Sequence, residues 1–135
     1  MRIRSALLLA ALACASPQAT MPARPSIAAG REDFVTYCAS CHGLGGAGDG
    51  PIAPYMAPRP ADLRKIAAKR SGVFPRAEIE EWIDGRRVIA SHGTRDMPIW
   101  GAAFRAETED DELAELRVRN RIVQLVDYLE TIQQQ

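Results

Sequence analysis

The sequence predicts an all-α domain, and two observations carry that prediction. Apolar side chains recur at intervals of three or four residues in separate segments, as they do along one face of an α-helix. Proline and glycine residues stand between these segments and favour loops there. With 135 residues, 47% hydrophobic and 25% charged, the chain has the size and composition of one globular domain preceded by processing sequence.

The N-terminal segment is predicted to direct export. Two arginines precede a short apolar run over residues 6–13 and then small residues, which is the order of a secretory signal peptide. The preferred cleavage gives a signal peptide over 1–15, followed by a flexible Pro- and Ala-rich lead-in over 16–27. Cys14 is alternatively the lipid-modified first residue of a lipoprotein.

A first helix is predicted to begin near residues 26–28 and to continue into the sequence C-A-S-C-H at residues 38–42. Gly30, Phe34 and Cys38 are spaced to share one face of this helix. The C-x-x-C-H spacing is that of c-type haem attachment. Each thiol can form a thioether with one haem vinyl group, while the histidine lies beneath the iron.

Two other kinds of site use paired cysteines. A zinc ribbon needs a second pair of ligands, and Cys14 is the only other cysteine in the chain. A thioredoxin-like dithiol is expected in a βαβ setting, and a histidine directly after the second cysteine is not part of that signal. The sequence therefore favours haem attachment at Cys38 and Cys41, with His42 as the proximal iron ligand.

The glycine-rich stretch at residues 43–48 matches the G-x-G-x-x-G dinucleotide fingerprint. That fingerprint has meaning only between a strand and a helix, and here a helix precedes it. Backbone freedom beside a haem edge is the better interpretation. A backbone carbonyl within Pro51–Pro54 is predicted to accept the hydrogen bond that a metal-bound histidine usually donates from its other ring nitrogen.

Two further helices are predicted in the middle of the chain. The first is expected from Asp62, as its N-cap, through Lys69. The second is expected from about Arg76 to Asp84, with Gly85 as its C-terminal stop.

Met97 is predicted to be the distal haem ligand. It precedes Pro98 in a loop more than fifty residues after the C-x-x-C-H run. A thioether is a soft ligand that favours ferrous iron and raises the reduction potential. His92 is the main alternative, because imidazole also binds haem iron, and Met56 is a lesser one. The residues directly after Met97 are predicted to form a turn before the terminal helix.

The terminal helix is predicted to begin at Thr108, which forms a capping-box-like pair with Asp111. Charged residues over 117–121 interrupt the apolar pattern, so the helix is expected to bend there or to begin after them. Its apolar stripe comprises Ile122, Leu125, Val126 and Leu129.

These features resemble a class I c-type cytochrome, and more narrowly the small proteobacterial monohaem cytochromes. In that family an N-terminal helix leading into C-x-x-C-H crosses a C-terminal helix, where a small residue and an aromatic meet a leucine and an aromatic. Gly30, Phe34, Leu125 and Tyr128 match this pattern. The resemblance implies a cytochrome c fold over 28–135, with short helices and loops around one covalent haem c.

The resemblance also implies a function, namely one-electron transfer in the periplasm by a protein that is not itself an enzyme. Redox-partner proteins are expected to dock weakly at the haem edge. The 17 basic and 17 acidic residues give no argument for nucleic acid, and membrane attachment is expected only through a lipidated Cys14. The alternatives are a haem enzyme or gas-binding protein with a labile distal site, and a cytochrome subunit of a larger dehydrogenase or oxidase complex.

Overall fold

The structure is a computed structural model that describes residues 27–86 and 97–134. Over these ranges the chain forms helices and turns without strands, so the predicted all-α fold is confirmed. The α-helices are α1 (Ile27–Asp33), α2 (Ala39–His42), α3 (Arg76–Asp84), α4 (Trp100–Ala106) and α5 (Ala114–Thr131). A π-helical turn, Phe34–Cys38, joins α1 to α2, and 3₁₀ turns cover Ala53–Tyr55, Leu63–Lys65 and Ala68–Arg70.

Helices α1 and α5 cross at Gly30, as the resemblance to class I cytochromes implied. A Cβ atom at this position would overlap the backbone carbonyl of Gln124 and lie 3.1 Å from the amide nitrogen of Leu125. One turn further on, the rings of Phe34 and Tyr128 are tilted against each other with centroids 5.2 Å apart. The missing side chain therefore lets the two backbones approach closely, and the aromatic pair packs beside the crossing.

Helix α5 supplies much of the core and continues through the charged run without a break. Val118, Leu125 and Val126 are each at most 1% exposed, and the helix is unbroken from Ala114 to Thr131. The expectation of a start after the charged run was therefore wrong. Two arginines of this run pair with carboxylates outside the helix, Arg117 with Asp111 and Arg121 with Asp33.

Helix α4 was not predicted, and the predicted start of the terminal helix at Thr108 was wrong. The residues after Met97, assigned to a turn, instead begin a helix at Trp100. The Thr108 hydroxyl donates to the carbonyl oxygen of Phe104 at 2.8 Å. It therefore provides a hydrogen bond to a carbonyl in the last turn of α4 and does not cap α5. The Asp111 carboxylate accepts from the backbone N–H of Leu113 at 2.8 Å, just before α5 begins.

The predicted helix from Asp62 through Lys69 is two separate 3₁₀ turns. Asp62 is nevertheless the N-cap, since its carboxylate accepts from the backbone N–H of Arg64 at 3.1 Å. Helix α3 has the predicted bounds, and Gly85 ends it in the left-handed conformation with φ of 66°. The segment from Asp62 to α3 thus follows the predicted order of elements with tighter turns.

Several predictions concern residues outside the described ranges. The signal peptide over 1–15, nearly all of the lead-in, Cys14 and His92 all lie there. Within residues 27–86 and 97–134, no helix combines the length and the apolarity needed to cross a membrane.

Candidate haem-binding site

A cavity of about 340 Å³ opens between the helices. Its lining includes all four of the residues predicted to bind haem: Cys38, Cys41, His42 and Met97. The remaining wall is mostly apolar and includes Phe34, Ile66, Ile79, Ile83, Leu125 and Leu129. Cavities of a few hundred cubic ångströms with an apolar wall and few polar groups are typical of cofactor sites.

The ring of His42 is held by a backbone carbonyl. Its Nδ1–H donates to the carbonyl oxygen of Ala61 at 3.0 Å. Because a carbonyl can only accept, this bond fixes the tautomer in which Nε2 is unprotonated and free to bind a metal. A hydrogen bond of this kind is the usual support for a metal-binding histidine.

The acceptor is not in the predicted segment Pro51–Pro54. Residues at the start of that segment and directly before it are hydrogen-bonded to α2 instead. The N–H of Gly50 donates to the carbonyl oxygen of Cys41, and that of Ile52 donates to the carbonyl oxygen of Ser40, both at 3.1 Å. The chain then returns to the cavity through Pro58–Ala61, whose residues line the wall. The second proline-containing stretch was the signal that sequence reasoning undervalued.

The two thiols of the motif are free, and the environment of Cys38 does not suit a redox dithiol. Burial raises the pKa of the Cys38 thiol to about 12, with smaller contributions from Asp33 and Cys41. A reactive dithiol needs a cysteine with a depressed pKa. A zinc site is also unsupported, since residues 27–86 and 97–134 contain no cluster of three or more His, Cys, Asp or Glu side chains able to hold a metal.

Met97 is half-buried and packs against the core at the cavity. Met56 also lines the cavity, so the structure brings both methionine candidates to the same site. His92, the main alternative, lies outside the described residues. Arg59 and Trp100 line the cavity as well.

The residues present fit a covalently attached haem. Two thiols, an imidazole with a free Nε2 and a thioether surround one apolar space. Imidazole and thioether are the axial ligand pair of cytochromes c. An apolar wall suits a flat macrocycle, because the protein can bury it without leaving polar groups unpaired.

Comparison with known families decides what kind of domain this is. The family model for cytochrome c oxidase, cbb3-type, subunit III matches residues 25–116, more than half of the chain. The chain belongs to this family. The resemblance to class I c-type cytochromes is thereby confirmed. A c-type cytochrome domain implies covalently bound haem c and haem-based electron transfer. Comparison with curated proteins and with solved structures gave no match.

Proposed function

We propose that this cytochrome is an exported one-electron carrier whose single haem is attached at Cys38 and Cys41, with His42 and Met97 as axial ligands. The observation that carries the proposal is that these four side chains line one apolar cavity. Haem bound there supplies an iron that alternates between the ferric and ferrous states.

The side chains around the cavity tune that chemistry. The hydrogen bond from His42 to Ala61 orients the imidazole and raises its basicity as a ligand. The thioether of Met97 favours the ferrous state and so raises the reduction potential. The apolar wall excludes water, which keeps solvent reorganisation small when the charge of the site changes by one unit.

The partners are redox proteins that dock weakly at the edge of the cavity. Electron-transfer encounters use small interfaces, because the complex must form and dissociate quickly. We place the protein in the periplasm, where an N-terminal export signal would deliver it. A lipidated Cys14 would add a membrane anchor.

A second candidate is a permanent cytochrome subunit of a larger oxidase complex. The family description, which names an oxidase subunit, favours it. The haem site would be the same, and only the lifetime of the partner contact would differ. Size-exclusion chromatography of the natively expressed protein distinguishes the two: a carrier elutes alone, whereas a subunit elutes with the complex after mild solubilisation.

The distal ligand is tested by substituting each methionine in turn. In Met97→Leu we expect the long-wavelength charge-transfer band of sulfur-ligated ferric haem to disappear. The reduction potential should fall, by on the order of a hundred millivolts or more, because axial ligands set haem potentials over a range of ≈ 0.8 V. Met56→Leu is the matched control, since Met56 lines the same cavity, and it should keep both properties.

A band that survives Met97→Leu and disappears in Met56→Leu would assign the distal position to Met56.

The attachment is tested separately, by the pyridine haemochrome spectrum of denatured protein. Cys38→Ala/Cys41→Ala should lose all covalent haem, and retained covalent haem would contradict the proposed attachment.

A further inference from the structure

Arg121 lies at the centre of an ion-pair cluster that joins three helices. From α5, its Nε and Nη2 donate to the Asp33 carboxylate of α1 at 2.7 and 2.8 Å. Its Nη1 donates to Oε2 of Glu107, directly after α4, at 2.8 Å. A planar guanidinium can hold two carboxylates in fixed directions, whereas a lysine ammonium cannot.

The face of the same guanidinium covers two aromatic rings. Its central carbon lies 4.1 Å from the ring centroid of Phe104 and 4.8 Å from that of Tyr37. The Tyr37 hydroxyl donates at 2.9 Å to Oε2 of Glu107, the oxygen that Arg121 also binds. Donation from Arg121 and then from Tyr37 lowers the pKa of Glu107, so this carboxyl is ionised at neutral pH.

The contacts continue from this cluster to the haem cavity. The Tyr37 ring meets Trp100 edge-on with centroids 5.5 Å apart, and it meets Phe104 similarly at 5.4 Å. Tyr37 and Trp100 both line the cavity. Trp100 begins α4 three residues after Met97, while Glu107 follows the last residue of α4.

We propose that Arg121 is a positioning residue for the distal haem ligand: by binding Asp33 and Glu107 and covering the Tyr37 ring, it fixes α4 and with it Met97. The inference rests on the proposed function, in which Met97 is that ligand. The residues that line the cavity do not include Arg121, so Arg121 acts through the aromatic cluster of Tyr37, Trp100 and Phe104.

The test measures how easily an added ligand displaces the native one. Ferric Arg121→Met, purified with its haem, is titrated with imidazole and compared with wild type. Because α4 is held less firmly in this variant, we expect imidazole to bind about tenfold more tightly, which is within the range of interaction energies between residues in contact. The charge-transfer band should also weaken. Arg121→Lys should recover only part of the difference, since it restores the charge without the planar fork.

Arg76→Met is the matched control. Arg76 also pairs with two carboxylates, Asp127 and Glu130, and joins α3 to α5, and none of these three residues belongs to the aromatic cluster. It should lose stability without any change in imidazole affinity. If Arg121→Met matches wild type and Arg76→Met in imidazole affinity and spectrum, Arg121 has only a structural role and the inference is wrong.

If Arg121→Met does not yield haem-loaded protein, the same imidazole titration is made with Tyr37→Phe. This substitution removes only the hydroxyl that donates to Glu107, and a smaller rise in imidazole affinity is expected. Unchanged affinity in Tyr37→Phe would overturn the inference. Failure of the proposed function is recognised separately, because the charge-transfer band would then survive Met97→Leu whatever residue stands at position 121.

Discussion

At Gly30 the backbones of α1 and α5 are in direct contact, and no side chain fits between them. The Cβ of any other residue would overlap the carbonyl of Gln124. Neither backbone can move easily, since Phe34 and Leu125 beside the crossing are each 1% exposed. The glycine is therefore required by close approach and not by its own dihedral angles.

Gly30→Ala should be strongly destabilising for this reason. Overpacking a well-packed site costs about 1–3 kcal/mol, and a clash with backbone belongs at the upper end of that range. The measurement is urea unfolding of the haem-loaded protein. Gly45→Ala is the control, because a Cβ at Gly45 meets nothing within 4 Å. Equal unfolding free energies for the two variants would show that the helices do not cross this closely.

Helix α4 shows why some elements were predictable and others were not. Gly101 follows the first residue of α4 and would ordinarily count as a helix breaker. It is needed because a Cβ there would overlap the Asp84 carboxylate and lie 2.7 Å from the Asp84 carbonyl oxygen. That requirement comes from α3, so no local pattern reveals it. Helix α3 itself was predicted because its apolar spacing and its stop at Gly85 are local.

The 3₁₀ turn Leu63–Lys65 depends on Asp62, whose carboxylate binds both the backbone and the side chain of Arg64. These bonds, with the side-chain bond from Arg64 first, lower the pKa of Asp62 from 3.8 to about 2. A group whose folded pKa is depressed stabilises the fold above its unfolded pKa. This contribution is lost as the pH falls through the folded value.

Asp62→Ala should therefore lower the unfolding free energy by about 1 kcal/mol at pH 7, the usual cost of losing a cap. The difference in unfolding free energy between Asp62→Ala and wild type should become smaller as the pH falls below 3.8. Asp62→Asn keeps a capping oxygen, so its unfolding free energy at pH 7 should fall by less than that of Asp62→Ala. Urea unfolding at pH 7 and at pH 3 checks this, and a pH-independent difference would exclude a role for the ionised carboxylate.

For the molecule as a whole, the sequence predicts most where the chemistry is local. Cys38, Cys41 and His42 are adjacent in sequence, so their spacing alone predicts the attachment site. The prediction for Met97 required only that a later loop return to the same cavity, and Met97 does line that cavity. The cluster around Arg121 left no signal, because its partner Asp33 is 88 residues away and charged residues on a helix usually face solvent.

The core and the cavity share their walls, so we expect the fold to depend on bound haem. Phe34, Ile79, Ile83, Leu125 and Leu129 belong to the buried core and also line the cavity. At about 24 cal/mol per Å³ for an enclosed cavity, about 340 Å³ gives an upper bound of about 8 kcal/mol, because this cavity is partly open and water can enter it. That is comparable to the whole net stability of a typical domain, roughly 5–15 kcal/mol.

Haem-free Cys38→Ala/Cys41→Ala should therefore lack a cooperative unfolding transition. We expect it to keep helical circular dichroism, to lose near-ultraviolet signals from packed aromatic rings, and to bind the dye ANS, because the cavity wall collapses without fixed packing. Met97→Leu is the control, since it keeps the haem in place and should unfold cooperatively. A haem-free variant that unfolds with the same midpoint as the loaded protein would show that the helices pack adequately around an empty space.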